Sequence, residues 1–119
     1  MSTFTIYHNP RCSKSRTALG LLREHGIEPK IVEYLRTPPT ADELTAIVRK
    51  LGIPAEQLVR KGEEIYKSQY AGRKLTDAQW IDAMAKHPIL IERPIVVSGN
   101  RAVLGRPPEN VESLLTGSR

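Results

Sequence analysis

Residues 3–35, TFTIYHNPRCSKSRTALGLLREHGIEPKIVEYL, carry two periodicities, and the order in which they occur decides the fold. Residues 3–7 (TFTIY) are β-branched and aromatic, the composition of a strand. His8-Asn9-Pro10 breaks that strand as a turn. From Ser13 onward Ala18, Leu19, Leu21 and Leu22 form an apolar stripe at helical spacing, and His25-Gly26 is a C-terminal stop. Ile31-Val32 and Tyr34-Leu35 read as a second strand. Strand, helix, strand at this spacing is a βαβ unit, with parallel strands and a right-handed crossover.

The middle of the chain is helical. Thr37-Pro38-Pro39-Thr40 is a turn that leads into a helix, and Thr40 with Glu43 fits a capping box. Leu44, Ile47, Val48 and Leu51 follow on one face, and Gly52 stops the helix. Ile53-Pro54 opens a short helix through Leu58-Val59, residues 63–70 form another, and Thr76-Asp77 starts the helix that bears Trp80, Ile81, Met84 and Ala85. Residues 94–97 and 101–104, separated by Ser98-Gly99-Asn100, are a hairpin signal in which Gly and Asn supply positive φ. A last helix spans residues 109–115. The order is β-α-β, a helical insertion at about 40–88, then β-β-α. That order predicts an α/β mixed sheet of thioredoxin/glutaredoxin-like fold, with residues 1–119 as a single domain.

Composition narrows the function classes. With 119 residues, 39% hydrophobic and 26% charged, the chain can bury a core without disulfides or metals. Its net charge of +5 suits an anionic partner, but the basic residues are scattered, which makes nucleic acid an unfavoured one. Cys12 is the only cysteine, so neither an internal disulfide nor a multi-thiolate zinc site exists, and no metal is expected. The N-terminal residues lack the basic and apolar regions of a signal peptide, and no apolar run is long enough to span a bilayer. The expected compartment is the cytoplasm, with no membrane partner.

Cys12 stands between the end of the first strand and the start of the first helix. The first helical turn offers free N–H groups and a partial positive charge, which stabilise a thiolate and lower its pKa. His8, Arg11, Lys14 and Arg16 lie nearby in sequence and add positive potential. The same turn binds oxyanions, so residues 12–16 resemble a cradle with a nucleophile inside it. Plainer readings stand beside these: Cys12 as a buried hydrophobe, Ser13 as an ordinary cap, Lys14 as a solvated charge, and His8 as a turn residue bonded to backbone. Arg60, Arg93 and Arg106 stand in turns or beside helix breakers. Each guanidinium suits an oxyanion, though surface arginines are commonly just solvated. Pro94 sits before the third strand, where a thioredoxin-like fold faces its catalytic turn, and a cis Arg93–Pro94 bond is expected.

The segments Tyr7-His8-Asn9-Pro10-Arg11-Cys12-Ser13-Lys14-Ser15-Arg16, Arg60, Arg93-Pro94-Ile95-Val96-Val97 and Gly105-Arg106-Pro107 together resemble the glutaredoxin-coupled arsenate reductases over essentially the whole chain. The resemblance implies arsenate as substrate, Cys12 as nucleophile through a thioarsenate intermediate, and His8 as the residue that lowers the thiol pKa. It implies Arg60, Arg93 and Arg106 as oxyanion ligands, to which the cradle adds Ser13 and Ser15. It also implies glutathione as co-substrate and glutaredoxin as partner, with no bound cofactor. The single cysteine agrees: Ser15 occupies the second position of a C-x-x-C pair, so the resolving thiol comes from outside. Two alternatives remain open, namely reduction of another oxyanion or thiol substrate and a redox-linked RNA polymerase-binding regulator.

Overall fold

The computed structural model describes residues 3–116. In chain order its elements are β1 (Phe4–His8), α1 (Ser13–Glu24), β2 (Lys30–Glu33), α2 (Ala41–Leu51), a 3-10 turn (Ala55–Leu58), α3 (Glu64–Gln69), α4 (Asp77–Lys86), a 3-10 turn (Pro88–Leu90), β3 (Ile95–Ser98), β4 (Arg101–Leu104), a 3-10 turn (Pro108–Val111) and α5 (Glu112–Thr116). Two compact units divide them: residues up to Thr37 with those from Arg93 onward, and Pro38–Glu92.

The first unit is a four-stranded sheet in the order β2-β1-β3-β4. β1 pairs with β2 in parallel and with β3 antiparallel, and β3 pairs with β4 antiparallel. This is the mixed α/β sheet of the thioredoxin-like fold that the element order predicts. Ile6, opposite both Ile31 and Val96, is fully buried, and with Ala18, Leu19, Leu22, Val96, Val111 and Leu114 it forms the core between the sheet and its helices. α1 ends in a Schellman motif: Gly26, at φ 78°, donates its N–H to Arg23 C=O at 3.0 Å, and Ile27 donates to Leu22 C=O at 3.0 Å. Ile27 packs against the same core, which fixes where the chain turns toward β2.

The second unit is helical. Capping boxes open α2 at Thr40/Glu43 and α4 at Thr76/Gln79, each satisfying orphan N–H groups at both ends of the motif. α2 packs on α4 through a buried set that includes Leu44, Ile47, Val48, Trp80, Ile81 and Met84. Asp77 Oδ1 accepts the Ala55 N–H at 3.3 Å, and Val59 bridges Ile91.

Three local features differ from the sequence reading. β2 ends at Glu33, because Arg36 and Thr37 both donate to the Glu33 C=O at 2.9 Å and close a turn over Tyr34-Leu35. In the β3–β4 loop only Gly99 has positive φ, at 61°, the pattern of a type II′ turn, so Asn100 is not strained. The final helical segment starts as a 3-10 turn, and α5 proper begins at Glu112. Among the described residues no helix is long and apolar enough to cross a membrane.

Candidate functional site

β1 and β2 run parallel with His8 opposite Glu33, so the chain leaves both strands at one edge of the sheet. Ligand sites in open α/β sheets lie outside such carboxyl ends. Beyond β1 come Asn9, Pro10, Arg11 and Cys12, and beyond β2 comes Tyr34.

The loop after β1 is closed by its own polar groups. Cys12 N–H donates to Asn9 C=O at 3.0 Å, Arg11 N–H to Asn9 Oδ1 at 3.0 Å, and Arg16 Nη1 to Pro10 C=O at 2.9 Å. Cys12 is the N-cap of α1, with extended backbone and no side-chain capping bond, and no acidic residue occupies the first turn. The N–H groups of that turn therefore meet no acidic side chain of their own. Partial burial pushes the Cys12 thiol pKa up. The Ser15 N–H, the Arg93 guanidinium and the Lys14 N–H together outweigh burial and hold it below the ordinary thiol value.

His8 and Ser15 support this turn from below. Ser15 is fully buried and His8 is 6% exposed. His8 Nδ1 lies 2.7 Å from Ser15 Oγ, and Asn9 N–H donates to the same oxygen at 3.1 Å. Burial lowers the His8 pKa, Glu33 opposes it, and Arg16 and Arg23 reinforce it, so the neutral ring is favoured. His8 faces Ser15 as a hydrogen-bond partner. The Ser15 hydroxyl is turned inward onto His8 and the Asn9 N–H, and it is the Ser15 backbone that lowers the Cys12 pKa. Ser13, the first helical residue, is exposed beside Cys12.

Arg93 and Arg106 meet in the same unit, where Arg106 Nη1 donates to Arg93 C=O at 3.2 Å. The Arg93–Pro94 bond is cis as the sequence predicts, and Arg106–Pro107 is cis as well. Gly105 N–H donates to Pro94 C=O at 2.9 Å, and a Cβ at Gly105 would lie 2.8 Å from Pro94 Cγ and 3.4 Å from Ala18 Cβ. Only glycine lets these two turns and α1 approach so closely. Arg60 belongs to the second unit, where its guanidinium lies 3.4 Å from Glu63 and 3.5 Å from Glu92. No group of three or more His, Cys, Asp or Glu among the described residues is arranged to hold a metal.

Sequence reasoning passes over Tyr34, which it reads as a strand residue. Tyr34 is 1% exposed, and its buried Oη makes no hydrogen bond among the described residues. Burial raises its pKa, nearby Arg93 opposes that, Cys12 adds to it and the Asn9 side chain opposes it. The signal that finds Tyr34 is topological: two parallel strands deliver their following residues to one sheet edge.

The ArsC family model matches residues 7–114, which span Cys12, Arg93 and Arg106. An arsenate reductase of Escherichia coli is 48% identical over 116 residues, covering 97% of this chain and 82% of the relative. The uncharacterized protein YfgD of Escherichia coli (strain K12) is 49% identical over 108 residues, covering 89% of this chain and 91% of the relative. The solved structure of an arsenate reductase from Vibrio cholerae superposes with a TM-score of 0.90 at 46% identity, covering 94% of this chain and 97% of the other.

Proposed function

The chain belongs to the ArsC family, and from that premise we propose that it is a cytoplasmic arsenate reductase that uses Cys12 as its nucleophile. The observation that carries this reading is the placement of its one thiol: Cys12 caps α1, and the Ser15 N–H and Arg93 hold it toward the thiolate. A thiolate is the form that attacks, and a guanidinium beside it draws in the anion to be attacked.

The sulfur lone pair attacks arsenic(V) and an oxygen leaves as water, giving a thioarsenate on Cys12. Arg93 binds the oxyanion, with Arg106 as its further ligand, and the first-turn N–H groups, including that of Ser13, hold the remaining oxygens. His8 is a positioning residue that acts through Ser15. Glutathione adds to the arsenic with loss of a second water. The glutaredoxin thiolate then attacks the glutathione sulfur, the As–S electron pair passes to arsenic, which becomes arsenic(III), and a glutaredoxin–glutathione disulfide leaves. Water hydrolyses the remaining Cys12–arsenic bond and arsenite departs. Two thiols become one disulfide, their two electrons reduce arsenic(V) to arsenic(III), and, net of the hydrolysis, one oxygen is lost as water. The external thiols are required because Cys12 is the only cysteine of the chain.

The test couples arsenate reduction to NADPH oxidation through glutathione, glutaredoxin and glutathione reductase. Wild type turns over and Cys12→Ser does not. The near-equal identity to YfgD, for which no substrate is named, favours a second reading in which the same site reduces a different substrate. Absence of arsenate turnover together with rapid alkylation of Cys12 near neutral pH selects that reading.

A further inference from the structure

We propose that Tyr34 is a hydrogen-bond donor to the anion bound at Cys12, a ligand that completes the site from the β2 side. The inference rests on the oxyanion reading of the site.

Among the described residues, two polar groups of the first unit are buried without hydrogen bonds: Tyr34 Oη and Arg93 Nε. Buried polar groups are almost always paired, and leaving one unpaired costs about 1–3 kcal/mol. These two are close neighbours, since Arg93 acts on the Tyr34 phenol directly. Both also lie close enough to Cys12 to interact with it electrostatically. The orphaned donors thus flank the nucleophile. A phenol oxygen is able to accept from Nε, but the two make no such bond, and the phenol's own hydrogen would still need an acceptor.

The missing partner is an acceptor. Arg93 has no lone pair to offer the phenol, and the buried phenol remains protonated at neutral pH because its pKa is raised. A tetrahedral oxyanion centred near Sγ supplies several acceptor oxygens at once. One can take the Arg93 N–H, one the Tyr34 O–H, and others the N–H groups of the α1 first turn. A neutral O–H discriminates where charge does not: it rewards an oxygen acceptor in one place, whereas the guanidinium attracts any anion.

The experiment uses the full chain and measures how well sodium arsenate protects Cys12 from alkylation by iodoacetamide, in wild type and in Tyr34→Phe. The expected result is that the protection constant weakens about tenfold while the alkylation rate without arsenate stays within twofold. Tyr34→Phe should also melt no lower than wild type, since it deletes a buried hydroxyl that has no partner. Loss of anion binding without loss of stability is an outcome that a packing role would not give. Equal protection of wild type and a folded Tyr34→Phe overturns the inference and leaves the arsenate reading intact. Failure of arsenate to protect wild type overturns both. A readout that needs no variant is the ultraviolet difference spectrum of wild type on titration with arsenate: a red shift of one tyrosine is expected, and an unchanged spectrum at saturating arsenate overturns the inference.

Discussion

His8 Nδ1 and Ser15 Oγ lie 2.7 Å apart beneath the nucleophile, joining the last residue of β1 to the first turn of α1. Ser15 also accepts the Asn9 N–H, so one buried hydroxyl ties strand, loop and helix together. Ser15→Ala strips His8 Nδ1 and the Asn9 N–H of a partner at once. The expected cost is about 1–3 kcal/mol, read as a lowered midpoint in urea unfolding. An unchanged midpoint would show that water replaces the hydroxyl without penalty.

Arg93 acts on Cys12 by charge and by hydrogen bond. The alkylation rate of Cys12 should therefore rise with pH through a midpoint below that of the unfolded chain, and Arg93→Ala should move the midpoint upward. Arg93→Ala should also lower kcat/KM for arsenate by about 10²-fold or more, the scale seen when a donor to a reacting oxyanion is removed. A midpoint that stays in place would assign the activation to the helix turn alone.

Gly105 stands where a Cβ would meet the Pro94 ring at 2.8 Å. Gly105→Ala must separate the Pro94 and Gly105 turns, at a cost of about 1–3 kcal/mol for an overpacked site. The displaced ring carries Arg93 with it, so arsenate turnover should fall along with the melting temperature. Thr40→Ala is the control: it breaks the α2 capping box, with an expected cost of about 1 kcal/mol, and leaves Cys12 alkylation unchanged.

Local chemistry made much of this legible in the sequence. The Thr40-x-x-Glu43 box, the Gly26 and Gly52 stops and the β-branched runs each dictate their own element, so helices and strands emerge within a residue or two. Cys12 was legible because a strand-to-helix turn acts on a thiol through adjacent backbone. What a side chain does through space was not. The inward turn of the Ser15 hydroxyl depends on a histidine seven residues earlier. The proximity of Tyr34 to Cys12 depends on which strands pair, and the contact between Arg106 and Arg93 on two turns meeting over Gly105.

The burial that holds His8 neutral also makes the fold sensitive to acid. Its folded-state pKa lies below the unfolded value of 6.5. Above that value the ring is neutral in both states, and its contribution to stability is complete. As the pH falls below it, the unfolded chain binds a proton that the folded chain resists. Stability is then lost progressively until the folded pKa has been passed. Carboxylates throughout the chain add their own slope, so the informative quantity is the difference between wild type and His8→Gln, which keeps a polar side chain but does not titrate. Melting curves from about pH 5 to about pH 8 should converge toward the acid end, wild type losing more than the variant. Parallel curves would mean that Glu33 offsets burial and that His8 titrates alike in both states. A wild type that gains on the variant in acid would mean that the ring is held as a cation, which would make it a direct electrostatic partner for the Cys12 thiolate.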